Sequence, residues 1–352
     1  MDRAYSGSTL IWEKSNDYLT LTVVSSGQIR MTANGRAIDI SVNGGAFERV
    51  GSDVTRTFST GDVLKFRGTV DSYYNNEFFE YDGVYLNAAT VDVKGNIMSM
   101  IYGDDYNNAA KRYKFPTGSS RNFFYFFGGV YVRDASRLLL PATALTEGCY
   151  EELFAERGKL TAAPNLPATK LANRCYASLF GNSKITNAPE LPATSLSAEC
   201  YVNMFAHCPN LTTAPTLSAT KLANYCYEQM FWGCTALTNV QSVLPATALT
   251  EGCYNRMYAD CRSLEYPPEL PAATLKTNCY AGMFAITQTG AVDEGKLKRI
   301  KCLATNISAS GCTNNWVFHA AQSTGTFIKA SSMTGWTTGY SGIPSGWTVQ
   351  NA

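Results

Sequence analysis

From about residue 8 to residue 100, apolar and polar positions alternate in short runs, the period-two pattern of half-buried strands. The runs are Tyr18-Leu19-Thr20-Leu21-Thr22-Val23-Val24, Gln28-Ile29-Arg30-Met31-Thr32, Ala37-Ile38-Asp39-Ile40-Ser41-Val42, Arg56-Thr57-Phe58, Asp62-Val63-Leu64-Lys65-Phe66-Arg67 and Thr90-Val91-Asp92-Val93-Lys94. Between them stand Ser26-Gly27, Asn34-Gly35, Asn43-Gly44-Gly45 and Thr60-Gly61-Asp62, residues suited to turns that need positive φ. Several strands at this spacing predict a small antiparallel β-sandwich over residues 1–100. Residues 101–120 are polar and read as a connector.

Beyond residue 120 the pattern changes period. A block of about 26 residues recurs six times, each copy carrying a Leu-Pro-Ala-Thr tetrad or a close variant (Leu-Ser-Ala-Thr at Leu217, Leu-Pro-Ala-Ala-Thr at Leu270), a Cys-Tyr pair and a Met-Phe or related pair. The tetrads begin at Leu140, Leu166, Leu191, Leu217, Leu244 and Leu270. The pairs are Cys149-Tyr150, Cys175-Tyr176, Cys200-Tyr201, Cys226-Tyr227, Cys253-Tyr254 and Cys279-Tyr280. So regular a period predicts a solenoid in which like residues stack on like. Within a copy, Leu-x-x-Ala-Pro-x-Leu is expected to form a short strand, cut off at one end by proline. The Cys-Tyr-x-x-Met-Phe segment, apolar at i, i+4 and i+5, is expected to form one or two helical turns. Phe123-Phe124-Tyr125-Phe126-Phe127 takes the place of that segment in a degenerate first copy and reads as an N-terminal cap rather than a ligand platform. A last degenerate copy has Cys302, Ile307 and Cys312 at repeat positions, with Trp316-Val317 in place of Met-Phe. The tail to Trp347-Thr348-Val349 reads as a closing strand and turn.

Composition adds mainly exclusions. A formal net charge of +1, with the basic residues scattered, gives no footprint for nucleic acid. Met1 to Gly7 lack the apolar core of a secretory signal, and nowhere do eighteen apolar residues run together. A soluble chain made without export, not inserted in a membrane, is the expectation. Nine of the eleven cysteines sit at repeat positions of the six full copies, with Cys208, Cys234 and Cys261 each eight residues after a Cys-Tyr cysteine. Strand spacing of about 4.8 Å would permit cross-linking between copies. The odd total and the replacement of the second cysteine by Arg157, Ser183 and Thr287 favour buried, reduced thiols. With only His207 and His319, and no Cys-x-x-Cys pair, neither zinc nor a cofactor is expected.

The Leu-Pro-Ala-Thr, Cys-Tyr-x-x-Met-Phe, Cys-x-x-Leu-Thr-x-Ala-Pro cycle closely resembles the BspA-like leucine-rich repeats of surface proteins in Bacteroidetes and some other microbes. Repeats of this type also occur in fibre-like and tail proteins of phages and prophages of gut Bacteroidetes. The resemblance covers residues from about 121 to the C-terminus, including the closing Ile343-Pro344-Ser345-Gly346-Trp347-Thr348-Val349. More loosely, Ser41-Val42-Asn43-Gly44-Gly45 is similar to segments found upstream of such arrays. It implies a role in attachment, on a virion or on a bacterial cell.

Catalytic signatures are missing: there is no Gly-x-Ser-x-Gly elbow, phosphate loop or His-Glu-x-x-His. Asp104-Asp105 with Asn107-Asn108 could offer oxygen ligands to calcium, but lack the glycine-marked spacing of an EF-hand and read as a hydrated connector. Glu151-Glu152 read as a solvated face, without a partner acid at glycosidase separation. What varies between copies is a set of positions just after each cysteine, as on a solenoid that presents a binding face. The candidates for ligand binding are Trp232, Glu228, Gln229, Asn203, His207, Asn255 and Arg256, Trp232 first because an exposed indole suits sugar or protein recognition. Trp232 reads equally as core, and the tyrosine ladder reads as structural.

The expected fold is therefore mixed β and α/β: a β-sandwich (1–100), a connector (101–120), a leucine-rich-repeat solenoid (121–301) and a degenerate repeat with C-terminal cap (302–352). The expected function is non-enzymatic. It is that of a virion fibre or decoration protein meeting other virion proteins and a bacterial surface protein or glycan, with a bacterial cell-surface adhesin as the alternative.

Overall fold

Alternation in the N-terminal region does form strands: β3 (Leu19–Ser25), β4 (Gly27–Met31), β5 (Ile38–Val42), β7 (Val54–Phe58), β8 (Val63–Gly68) and β9 (Thr90–Asn96). The computed structural model describes residues 3–6, 9–13, 17–33, 36–52, 54–73, 88–128, 130–154, 158–287 and 295–352. The Asn34-Gly35 turn and Arg157 lie outside them. Two compact units are formed, Met1–Lys170 and Leu171–Ala352.

In the first unit a six-stranded sheet runs β10-β9-β3-β8-β5-β6, with β6 (Glu48–Arg49) at one edge and β10 (Tyr131–Leu139) at the other. All its pairs are antiparallel except β9 with β10. Two-stranded antiparallel ribbons join β4 to β7 and β1 (Arg3–Ser6) to β2 (Thr9–Glu13). The register sets Leu21 opposite Leu64 on one side and Val93 on the other, and all three are buried. Each such side chain contributes roughly 1.5–3 kcal/mol by leaving water. At the Asn43-Gly44 turn both residues have positive φ, 51° and 78°. The one α-helix among the described residues, α1 (Ser99–Tyr102), is a single turn that runs into a 3-10 turn at Gly103–Asn107. Ser99 fixes it to the sheet, its hydroxyl donating to the Phe66 carbonyl and accepting from the Leu19 N–H.

The aromatic run of the first unit sits in repeat register. The N–H groups of Arg121, Phe123 and Tyr125 donate to the carbonyls of Glu147, Cys149 and Glu151. Phe123 stacks on Tyr150 and Phe127 on Phe154. On their other sides Phe123 stacks on Tyr73 and Phe126 meets the same ring edge-on.

Among the described residues of the second unit, regular strands occur only near the end: β11 (Leu297–Cys302), β12 (Ala321–Lys329) and β13 (Thr348–Asn351) form a parallel sheet. The repeats themselves contain turns and isolated parallel bridges such as Asn187↔Thr213, Thr213↔Asn239 and Leu191↔Leu217. These findings overturn the expected class, an N-terminal β-sandwich followed by a capped leucine-rich-repeat solenoid of mixed β and α/β type. Among the described residues the fold is mostly strands and turns, its sheets are open, and no such solenoid is formed.

The reasons are local. The expected strands are interrupted by prolines, as at Pro164 and Pro167, Pro189 and Pro192, or Pro215, which remove ladder donors and leave single bridges. The expected helical turns are interrupted by a residue with positive φ at every fourth position: Glu199, Asn203 and His207 in one copy, Tyr225, Gln229 and Gly233 in the next. A right-handed helix cannot pass through such residues.

Candidate functional site

What replaces the helix is an alternating hydrogen-bond pattern. The N–H groups of Cys200, Val202, Met204, Ala206 and Cys208 donate three residues back, to Ser197, Glu199, Tyr201, Asn203 and Phe205. Those of Glu199, Tyr201, Asn203, Phe205 and His207 donate to the next copy, at Asn224, Cys226, Glu228, Met230 and Trp232. Every second donor thus closes a turn, and the remainder join neighbouring copies.

The side chains follow this register. Tyr176, Tyr201, Tyr227, Tyr254 and Tyr280 form a column of parallel rings with centroids 5.6–6.0 Å apart. Phe180, Phe205, Phe231, Tyr258 and Phe284 form a second. All eleven cysteines are buried, and none is joined in a disulfide. The thiols of Cys208, Cys234 and Cys261 donate to the carbonyls of Phe180, Phe205 and Phe231. Burial pushes the thiols of Cys175, Cys226 and Cys253 up to about 12, which disfavours the nucleophilic thiolate. Both columns and the cysteines are therefore framework.

Residues with positive φ point their side chains differently. Where one copy has a glycine at such a position, the preceding copy covers it. A Cβ on Gly252 would lie 2.2 Å from the Tyr225 ring, and one on Gly233 would lie 2.5 Å from His207 Nδ1.

The expected ligand-binding residues fall on this variable face, in two groups. Trp232 is half-buried, its indole N–H donating to Asp260 Oδ2 at 2.8 Å and its ring 4.4 Å from that of His207. Asp260 is buried, and also accepts from the Thr287 backbone N–H and hydroxyl at 2.8 and 2.7 Å. Trp232 is thus held by an internal carboxylate with His207 against its ring, and the indole N–H is already committed.

The second group is more open. Asn203 donates its N–H to the Glu228 carbonyl, and Gln229 donates to that of Asn255, so these four lie in adjacent copies. Arg256 is exposed beside them in sequence. Burial, with the Glu199 charge adding, raises Glu228 above the usual carboxylate range, and Arg256 opposes the shift. Asn203 Oδ1 is buried without a hydrogen-bond partner among the described residues. Such a face offers neutral and charged hydrogen-bonding groups on a fixed backbone, suited to recognition.

Elsewhere, Asp104 is engaged by Arg67 and by the Tyr18 hydroxyl, and Asp105 by Lys111. Glu151 is buried rather than solvated. No group of three or more His, Cys, Asp or Glu among the described residues could hold a metal ion. No helix among them is long and apolar enough to cross a membrane. Asp260 and Thr287 were not among the sequence candidates. The signal was available in register, since Thr287 replaces the second cysteine one copy after Asp260. No family model matches the chain, and no curated protein or solved structure is significantly similar to it.

Proposed function

We propose that this chain is a non-enzymatic attachment protein, carried on a virion surface as a fibre or decoration component. It presents the variable face of its repeats to a bacterial surface protein or glycan, and other virion proteins are its structural partners. The observation that supports this reading is the division of labour within each repeat. The buried tyrosine, phenylalanine and cysteine columns hold neighbouring copies in register, while Asn203, Glu228, Gln229, Asn255 and Arg256 differ between copies on the same backbone. A fixed scaffold with varied side chains serves recognition more directly than catalysis. The resemblance of the repeat motifs to phage fibre and BspA-like surface sequences supplies the biological setting.

Immunogold electron microscopy with antibody to the repeats, on cells and cell-free particles from the source culture, tests the setting. Label on particles is expected. Label confined to the cell envelope would replace the virion reading with that of a cell-surface adhesin. Binding of the purified chain to bacterial cells tests the face: Gln229→Ala, Asn255→Ala and Arg256→Glu together are expected to reduce it at least tenfold with the fold intact. Unchanged binding would reject this face as the contact.

A further inference from the structure

A recessed surface near the C-terminus shares no lining residue with the ligand-binding candidates just discussed. A cavity of about 540 Å³, open to solvent, lies between the start of β12 and the segment 339–345. Its size is within the range of small-ligand clefts. His319, Gln322, Ser323, Tyr340 and Ser345 are among the residues that line it, with Val317 as an apolar wall.

The walls are held in place from behind. The segment carrying Tyr340 is fixed by four bonds: the Thr313 hydroxyl and Val317 N–H donate to the carbonyls of Ser341 and Tyr340, the Asn315 N–H donates to the Ser341 hydroxyl, and the Trp316 indole donates to the Gly342 carbonyl. The opposite wall is fixed by the Trp347 indole, which donates to the Gln322 carbonyl. Gln322 is in turn oriented by its own bond to the Gly295 carbonyl. A site built this way loses little conformational entropy when it binds.

Its chemistry is specific in class. The lining has no carboxylate, ammonium or guanidinium group. Tyr340 is 50% exposed, an unusual state for a large ring, and it is braced by Phe318 with centroids 4.8 Å apart and by His319 at 5.3 Å. Ser323 and Ser345 are exposed, and their hydroxyls take no partner among the described residues. An aromatic face beside uncharged donors and acceptors matches the two sides of a pyranose ring, C–H groups on one and hydroxyls on the other.

We propose that this cavity binds one or two residues of an uncharged saccharide, stacked on Tyr340 and hydrogen-bonded by Gln322, Ser323 and Ser345. The site uses none of the residues assigned to the variable repeat face, so either can fail without the other. Saturation-transfer NMR on the full chain tests it, with neutral trisaccharides built from glucose, galactose, mannose or N-acetylglucosamine, and sialyllactose as the charged comparator. Transfer to at least one neutral trisaccharide is expected. Tyr340→Ala and Ser345→Arg are each expected to weaken binding at least tenfold, while Tyr340→Phe, which keeps the ring, stays within threefold of the parent. Melting curves confirm that each variant is folded, and Ser345→Arg, at an exposed position, retains the test if Tyr340→Ala does not fold. No transfer to any neutral probe, stronger binding of sialyllactose, or binding indifferent to Ser345→Arg would overturn the proposal.

Discussion

The six-stranded sheet of the first unit and the repeats of the second both connect chain segments through backbone hydrogen bonds, but they reach that end by different local conformations. In the sheet, extended residues alternate their side chains between faces, and apolar positions two apart share a core. In the repeats, alternate N–H groups turn back three residues, and a positive-φ residue resets the direction at every fourth position. The difference teaches that register between segments does not require regular secondary structure. Identical rings at matching positions, reinforced by half of the backbone donors, supply it.

The largest expected effect tests the ring column. Tyr227→Ala removes a buried ring stacked at 5.7 Å on Tyr201 and 5.6 Å on Tyr254, and is expected to cost about 3–5 kcal/mol in urea unfolding. Leu21→Ala in the sheet should cost about 2–5 kcal/mol. If the tyrosine change proves far cheaper than the leucine change, the column is not the stabilising element.

Next comes glycine. Gly252 has φ 56° and sits under the Tyr225 ring, whereas Gly44 has φ 78° with open space around its Cβ direction. Gly44→Ala is expected to cost about 1 kcal/mol from backbone strain alone, and Gly252→Ala at least about 2 kcal/mol. Adding Tyr225→Ala to Gly252→Ala should recover the excess in a double-mutant cycle. Additive losses would show that the ring does not meet the glycine.

Hydroxyl deletion sharpens the comparison. Tyr73 donates its hydroxyl to the Met100 carbonyl at 3.2 Å, and Tyr73→Phe should cost about 1 kcal/mol. The buried hydroxyls of Tyr254 and Tyr280 have no hydrogen-bond partner among the described residues, so Tyr280→Phe should be neutral or stabilising by up to about 1 kcal/mol. Tyr73→Phe is expected to lower the thermal midpoint, and Tyr280→Phe to leave it unchanged or raise it.

The smallest effect concerns pH. Because burial and Glu199 raise Glu228, the folded state holds its proton more tightly than the unfolded chain does. The resulting penalty is absent below the unfolded carboxylate pKa and grows as pH rises through the raised folded value. Glu228→Gln should therefore stabilise at pH 7 but not at pH 3, by less than about 0.5 kcal/mol because the group is partly solvated. An equal effect at both pH values would exclude the charge as its cause.

Much of the architecture was readable along the chain, but unevenly. Strands such as β3 and β8 follow from period-two alternation, and the repeat register from the Cys-Tyr pairs. The aromatic run at Phe123 falls in register because Phe123 and Phe127 match Tyr150 and Phe154 one copy on. The turn-and-bridge conformation of the repeats was not readable, because positive φ falls on Arg174, Tyr225 and Gln229 as well as on Asn, His and Gly. Tertiary bonds to the next copy impose it there. Of the candidate site, the variable face was visible as variation between copies. The tie from Trp232 through Asp260 to Thr287 was not, since it joins residues in three successive copies.

Glycine beneath a neighbour's side chain also bears on how the array can change its length. Near-identical tandem copies are prone to loss and duplication by unequal recombination, and most such products would keep the reading frame. Yet Tyr225 lies over Gly252, Arg256 over Gly282 and Asn278 over Gly311, each matched to one particular follower. Deleting the copy that contains Gly252 would set Tyr225 against Asn278, with Glu251, the acceptor of its hydroxyl, gone as well. The copies are alike in sequence but ordered in space, and selection on folding would preserve their sequence of succession.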